Sequence, residues 1–280
     1  EQAGYFYYDL VQTLGEETVL CFPSSFRRAI KYGQRDAANE ILRTEVLSRL
    51  TSPISGQWLH IVTSPEALAE RVVSRKELSV NTLTLNVGEC VGSTFVQEVL
   101  VGYGFTHVDY VYEPGQFAMR GSILDVFSYS SEYPYRIDFF GDEVDSIRTF
   151  EVETQLSRDR LQQISIIPEL SGMMSENQMG SFFDFLPGDA VLTFHDFLWI
   201  HDRIDVIHDE AISSQAIMAQ ECESAGKPLL PPSLIDGFEF TDKALCFRRI
   251  EFGHRPTGTP HAAITYAMTP QPIFHKNFVL

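Results

Sequence analysis

The groups in this chain with the most chemical potential are a run of histidines interleaved with acids, four scattered cysteines, and a hairpin that carries an arginine and a phenylalanine. The first is His195-Asp196, His201-Asp202, Asp205, His208-Asp209-Glu210. On a helix His201 and His208 share a face but lie about 10 Å apart along the axis. One ion with bonds of about 2 Å cannot take both. The i, i+4 histidine spacing of H-E-x-x-H is absent, so the segment reads as a helix face rich in Asp and His, and no metal site is assigned. Cys21, Cys90, Cys222 and Cys246 form no C-x-x-C pair. That spacing argues against zinc or a disulfide framework and fits a reducing, cytoplasmic setting.

Nucleotide chemistry needs a phosphate cradle, and the pattern G-x-x-x-x-G-K-[ST] does not occur. Gly226-Lys227 is followed by Pro228, which has no N–H to offer and follows a helix instead of opening one. Gly33, Gly102 and Gly104 head no strand-to-helix turn of the right kind. The nucleophile elbow G-x-S-x-G is also missing, and the carboxylate pair Asp142-Glu143 reads as turn chemistry. No catalytic residue and no cofactor-binding residue is therefore assigned.

The hairpin is more informative. Tyr135-Arg-Ile-Asp-Phe-Phe140 and Glu143-Val-Asp-Ser-Ile-Arg148 are joined by Gly141-Asp142, a two-residue connection led by glycine, as a type II′ turn requires. Alternation puts Tyr135, Ile137 and Phe139 on one face and Arg136, Asp138 and Phe140 on the other. If the first face packs inward, Phe140 is an aromatic stranded on the polar face near an arginine, the composition of a protein-binding hot spot. The competing reading is that Phe140 tucks under a loop and Arg136 makes a surface ion pair.

The elements that must position these residues follow from periodicity. Glu17–Phe22 is a short apolar strand, Asp36–Leu50 an amphipathic helix, and Trp58–Val62 a buried strand. Ser64 and Pro65 mark a helix start. Strand, helix, strand, helix predicts a parallel sheet. From residue 86 the pattern changes. Val96, Val99, Leu100 and Tyr103 have helical spacing closed by Gly104. Four β segments follow, His107–Tyr112, Phe117–Phe127, Tyr135–Phe140 and Val144–Phe150, with short connections that predict an antiparallel meander beside one helix. Ser128–Pro134 leaves the register between 117–127 and 135–140 open by one residue. Residues 169–181 read as a loose linker. A strand at Ala190–Phe194, a long helix from about Asp196 to Ala225, and strands at Leu245–Ile250 and Ala262–Tyr266 complete the chain. The expected organisation is α/β, divided at 1–85, 86–167 and 168–280.

With 280 residues, 44% of them hydrophobic, the chain has ample material for a core. The charge is lopsided, 21 Lys and Arg against 38 Asp and Glu, a net of −17. A protein that lives by neutralising phosphates should be basic or carry a dense basic stripe. Between Glu113 and Glu169 there are five arginines and no lysine against eleven acids, a net of −6. No apolar run reaches the roughly 18 residues of a membrane span, so no membrane partner is expected. The N-terminus has no Met and no signal-peptide pattern, and the last residues read as the inside of a strand, so the chain is expected to be part of something longer.

The run Tyr112-Glu-Pro-Gly-Gln-Phe-Ala-Met-Arg-Gly-Ser-Ile-Leu-Asp-Val-Phe127, continued by Pro134-Tyr-Arg-Ile-Asp-Phe-Phe-Gly-Asp-Glu-Val-Asp-Ser-Ile-Arg148, closely resembles the bacterial transcription-repair coupling factors, in the module they share with the excision-repair protein UvrB. Ile41–Leu47, Phe183–Leu192 and Leu229–Pro232 extend the resemblance more loosely. It implies a helicase-like lobe made of domain 1a (1–85) and domain 1b (168–280), with domain 2 (86–167) inserted between them. It implies that this lobe has lost the P-loop that UvrB keeps, the remnant position lying upstream of residue 1. ATP and Mg would then belong to a separate motor of the parent protein. RNA polymerase and DNA would be contacted by its other domains. Domain 2 of this family docks UvrA. The family's docking residues, the Arg of Arg-Gly, the Arg after Pro-Tyr and the second Phe of Asp-Phe-Phe, fall on Arg120, Arg136 and Phe140. The two arginines would fork onto carboxylates of the partner.

The leading expectation is thus a non-catalytic module that recruits UvrA. Two alternatives stand beside it: an ATP-dependent helicase or nuclease fragment, disfavoured by the missing P-loop, and a UvrB-like reader of damaged DNA, disfavoured by the acidity of domain 2.

Overall fold

The computed structural model describes residues 2–26, 36–51, 58–170, 178–222, 234–253 and 256–267, the side chains of 214–222 excepted. The elements up to the middle of the chain are α1 (Gln2–Leu14), β1 (Val19–Phe22), α2 (Ala37–Thr51), β2 (His60–Thr63), α3 (Pro65–Ala69), β3 (Val72–Val73), α4 (Arg75–Val80), β4 (Leu83–Asn86), α5 (Ser93–Gly102), β5 (Thr106–His107), β6 (Gln116–Arg120) and β7 (Ile123–Val126). After them come β8 (Tyr135–Phe140), β9 (Glu143–Phe150), β10 (Ser157–Leu161), β11 (Gln163–Ile166), β12 (Met179–Gly180), β13 (Val191–Phe194), α6 (Phe197–Cys222), α7 (Gly237–Leu245) and β14 (Arg248–Glu251). The fold is mixed α/β.

The apolar strands β1 and β2 pair in parallel, Val19 opposite His60. β13 and β14 do the same, Val191 opposite Arg248. One core joins segments far apart in the chain, residues 20–78 and 167–244. Phe22, Val46, Leu68 and Val72 pack in the same cluster as Phe182, Phe185, Phe194, Phe197, Ile204 and Phe240. Helix starts around this core are capped from the sequence: Ser74 accepts from the Glu77 N–H and Asp236 from the Glu239 N–H. Pro65 opens α3 at its first turn, where a missing N–H costs nothing.

A second core lies between. Val96 and Leu100 of α5 pack on Phe117, Leu124, Val126, Ile137, Phe139, Val144 and Ile147, which form the inner face of a six-stranded sheet. Its strand order is β10-β9-β8-β7-β6-β5; β6 to β10 run antiparallel to their neighbours and β5 runs parallel to β6. β4 and β11 pair antiparallel, Leu83 opposite Ile166, so the chain enters and leaves this sheet layer side by side.

Several expectations are corrected. The segment 117–127 is two strands, because Gly121 takes a φ of +63° and turns the chain back on itself. His107–Tyr112 is extended only at Thr106–His107. Trp58 lies 83% exposed before β2 instead of inside a buried strand. Ala262–Tyr266 forms no strand. The segment 169–181 read as a loose linker is anchored at both described ends: Leu170 is buried, and Met179 and Gly180 pair with Val73 and Val72. Residues 171–177 of that segment lie outside the described residues.

The histidines find a structural use. His201 Nδ1 sits 2.9 Å from the Gly237 carbonyl and 3.0 Å from the Thr241 hydroxyl, and its Nε2 is 3.4 Å from Asp205, tying α6 to the start of α7.

The first core also encloses an ion pair. Glu70, 5% exposed in its side chain, lies 3.4 Å from Arg43 and accepts from the Ser24 hydroxyl and from both the amide and hydroxyl of Ser25. Arg43 spans Phe22 and donates to the Pro23 carbonyl, so this network fixes the loop after β1. Replacing Arg43 by Met removes the cation that faces the buried Glu70 carboxylate. It should cost about 3–5 kcal/mol, whereas Glu70→Gln, which keeps an acceptor for the serines, should cost less. Urea denaturation of the two variants checks the order.

Candidate protein-docking site

The outer face of the six-stranded sheet is set by three backbone features. Two glycine-led turns stand at the same end of it. Gly121-Ser122 joins β6 to β7 and Gly141-Asp142 joins β8 to β9; Gly141 has a φ of +64° and Asp142 does not share it, which is the type II′ pattern. Arg120 and Phe140 are thus the last residues before equivalent turns, two strands apart, or about 10 Å in the hydrogen-bonding direction. The third feature is a bulge in β9. Asp138 pairs with Ser146 and Phe139 with Val144, so Asp145 is looped out and both Val144 and Ile147 still reach the inner core.

Strand β8 alternates as its sequence predicts. Tyr135, Ile137 and Phe139 are buried, while Arg136, Asp138 and Phe140 face outward. Phe140 does not tuck under a loop; it is 81% exposed. Its hairpin is nonetheless braced from behind. The Gly88 N–H donates to the Val144 carbonyl at 2.8 Å and the Val144 N–H to the Glu89 carbonyl at 2.9 Å. The aromatic ring is therefore held out to solvent on a fixed backbone.

The open register is now closed: Asp125 lies opposite Arg136 and Ile123 opposite Asp138. This pairing exposes a residue that the reading of the sequence missed. Asp125 is completely buried, and both arginines converge on it. Arg136 forks onto its carboxylate, Nε to Oδ1 at 2.8 Å and Nη2 to Oδ2 at 2.9 Å. Arg120 donates from Nη2 to the same Oδ2. Asp125 raises the Arg136 guanidinium further above its already high ordinary pKa, chiefly through these hydrogen bonds. A signal was present: an acid between Leu124 and Val126 in an apolar strand must find a cation or stay neutral.

Beyond Asp125 the two arginines differ. Arg136 stacks on Phe150 at 4.3 Å, donates from Nη1 to the Gln155 carbonyl at 3.0 Å, and has Nη2 3.4 Å from the Gln155 side-chain oxygen. Gln155 takes a left-handed φ of +58° to reach it. Four of the five N–H groups of Arg136 are thereby directed inward, and its side chain is 14% exposed. Asp125 takes the Nε and one Nη2 donor of Arg136 within the chain. Arg120 is 36% exposed in its side chain, rests on Tyr110 at 5.1 Å and donates to the Asp109 carbonyl at 3.1 Å. It keeps free donors toward solvent. The geometry therefore presents Phe140 and Arg120, with Arg136 as the support beneath them.

Nothing among the described residues gathers three or more His, Cys, Asp or Glu side chains in an arrangement able to hold a metal ion. No helix among them is long and apolar enough to cross a membrane.

Replacing Asp125 by Leu leaves Arg136 buried and unpaired and should cost about 3–5 kcal/mol; adding Arg136→Met should recover most of that loss. Arg120 can turn to water in either case. Denaturant midpoints of the single and double variants test this, and a double variant no more stable than Asp125→Leu would contradict it.

Residues 83–171 match the family described as UvrB interaction domain. The chain is similar to the transcription-repair-coupling factor of Escherichia coli (strain K12), 35% identical over 108 residues, which is 39% of this chain and 9% of that protein. It is also similar to the transcription-repair-coupling factors of Haemophilus influenzae and Bacillus subtilis. Each is 31% identical over 161 residues, or 57% of this chain and 14% and 13% of those proteins. The resemblance carried by the motifs of residues 112–148 therefore holds, and the chain spans about a tenth of the length of the relatives it matches.

Proposed function

We propose that this chain is the UvrA-recruiting part of a transcription-repair coupling protein, and that it docks UvrA through the outer face of the six-stranded sheet. Similarity to coupling factors over about half the chain, together with the UvrB interaction domain at 83–171, supports a role in transcription-coupled repair. The observation that carries the docking site is Phe140. It is a large aromatic, 81% exposed on a braced hairpin, with Arg120 at the equivalent position of the neighbouring hairpin. Anchors of this kind supply the desolvated centre of an interface.

On this reading the chain is not itself an enzyme. ATP, Mg and the translocating motor belong to other parts of the parent, as do the contacts to RNA polymerase and DNA, and the whole acts in the cytoplasm. The shared core of residues 20–78 and 167–244 favours one helicase-like lobe formed by 1–85 and 168–280 with 86–167 inserted as an antiparallel meander module. The side-by-side pairing of β4 and β11 is what such an insertion needs.

The test is binding of the chain to purified UvrA. Phe140→Ala should weaken it by 2 kcal/mol or more, about thirtyfold, with an unchanged denaturation midpoint, because the ring is out of the core. Arg120→Ala should weaken it less. Wild-type affinity in the Phe140 variant would remove this site.

A further inference from the structure

Four of the five arginines between Glu113 and Glu169 lie on the outer face of the same sheet, in a domain that is acidic overall. Three of them form one cross-strand row with Asp125. Asp125 is opposite Arg136, Arg136 opposite Arg148, and Arg148 opposite Arg160, across β7, β8, β9 and β10. Like charges directly opposite one another on adjacent strands are destabilising. Here the cost is offset only at one end. Asp125 holds Arg136 and Arg120, whereas Arg148 has a single acid, Asp138, at 4.0 Å. The Arg148 Nε is buried without a hydrogen-bond partner. Arg160 is exposed, and its side chain has no partner among the described residues. The fifth arginine, Arg158, is spent elsewhere, over Tyr133 and against Glu151.

We propose that the docking face continues along this row, with Arg148 and Arg160 forming a second anchor, beside Phe140 and Arg120, for a strip of carboxylates on the protein partner. The row repeats at the strand spacing of about 4.8 Å, so it fits acids aligned across the strands. A long run of phosphates fits poorly: Glu143 and Asp145 are exposed on β9 beside the row, and they repel a polyanion that extends beyond it. An acidic protein surface that ends within a few residues meets the arginines and avoids them. This inference rests on the reading of the face as the UvrA-docking surface and adds two contacts to it.

The experiment compares four forms of the chain: wild type, Arg160→Glu, Arg148→Gln with Arg160→Glu, and Phe140→Ala. Each is titrated against purified UvrA at two salt concentrations and against a short DNA duplex. Arg160 is exposed, so its reversal leaves the fold intact even if the Arg148 change does not. The expected result is that Arg160→Glu weakens UvrA binding severalfold and the double variant about tenfold, with a flatter salt dependence in both. If Phe140→Ala loses binding while both arginine variants match wild type, the face ends at Arg136 and the second anchor is refuted, the docking site standing. If no variant loses affinity, or wild type does not bind UvrA, the reading beneath it falls as well. If the arginine variants lose duplex binding and keep UvrA, the row reads phosphates and the proposal is overturned.

Discussion

The six-stranded sheet is organised around one buried charge. Asp125 has no access to water, and a carboxylate in that position survives only if cations come to it. Two do, and each drags a structure with it. Holding Arg136 in place needs Phe150 beneath the guanidinium and the left-handed Gln155 above it, so the turn after β9 is folded back over the sheet. Holding Arg120 in place needs the 108–112 segment, whose Asp109 carbonyl and Tyr110 ring receive it, while Val111 joins a small apolar cluster with Ala118, Phe127 and Phe150. The outer face thus carries a third, partly polar cluster on the side of the sheet opposite the second core. Its surface residues are presented by a network that resists being rearranged one side chain at a time.

This constraint changes what the two arginines are for. A freely mobile arginine loses rotamer entropy of up to about 2 kcal/mol when a partner fixes it. Arg120 has much of that entropy removed in advance by Asp125, and on the proposed role it would meet a partner with its remaining donors already aimed. Arg136 is more deeply set, with a side chain 14% exposed. Its side chain is a strut between Asp125 and Gln155, and the sequence alone could not distinguish a strut from a contact, because both are arginines of the same parity as Phe140. The difference lies in the neighbour strand, and it depended on a register that the Ser128–Pro134 connection left undetermined.

What could be read without coordinates divides along the same line. Local periodicity found α2, α5, β8, β9 and the long α6, because each depends on residues close in sequence. The two faces of β8 followed from strict alternation, while the exposure of Phe140 stayed one of two readings until the structure gave it. The turn at Gly121 was legible in principle as a Gly-Ser pair, but the apolar residues on both sides outweighed it and merged two strands into one. Asp125 was passed over because its meaning is non-local: an acid in an apolar strand is unremarked until the strand opposite it is known. The same holds for Glu70 in the first core, whose partners Ser24, Ser25 and Arg43 lie between 27 and 46 residues away.

Net charge also reads differently once the rows of the sheet are assigned. A total of −17 describes the field at a distance, which repels nucleic acid and other acidic surfaces alike. Contact is decided within a Debye length of about 8 Å, and there the outer face is an arginine row set in an acidic surround. On the proposed role that arrangement would discriminate by size: a compact acidic patch could reach the row, while an extended polyanion would also meet the acids around it. Phe140 at the edge adds the apolar term that charge alone lacks, since screened surface pairs contribute at most about 1 kcal/mol each and a desolvated aromatic contributes several times that. On the proposed docking role, the acids would refuse extended polyanions, the arginines would orient the accepted partner, and the phenylalanine would supply most of the affinity.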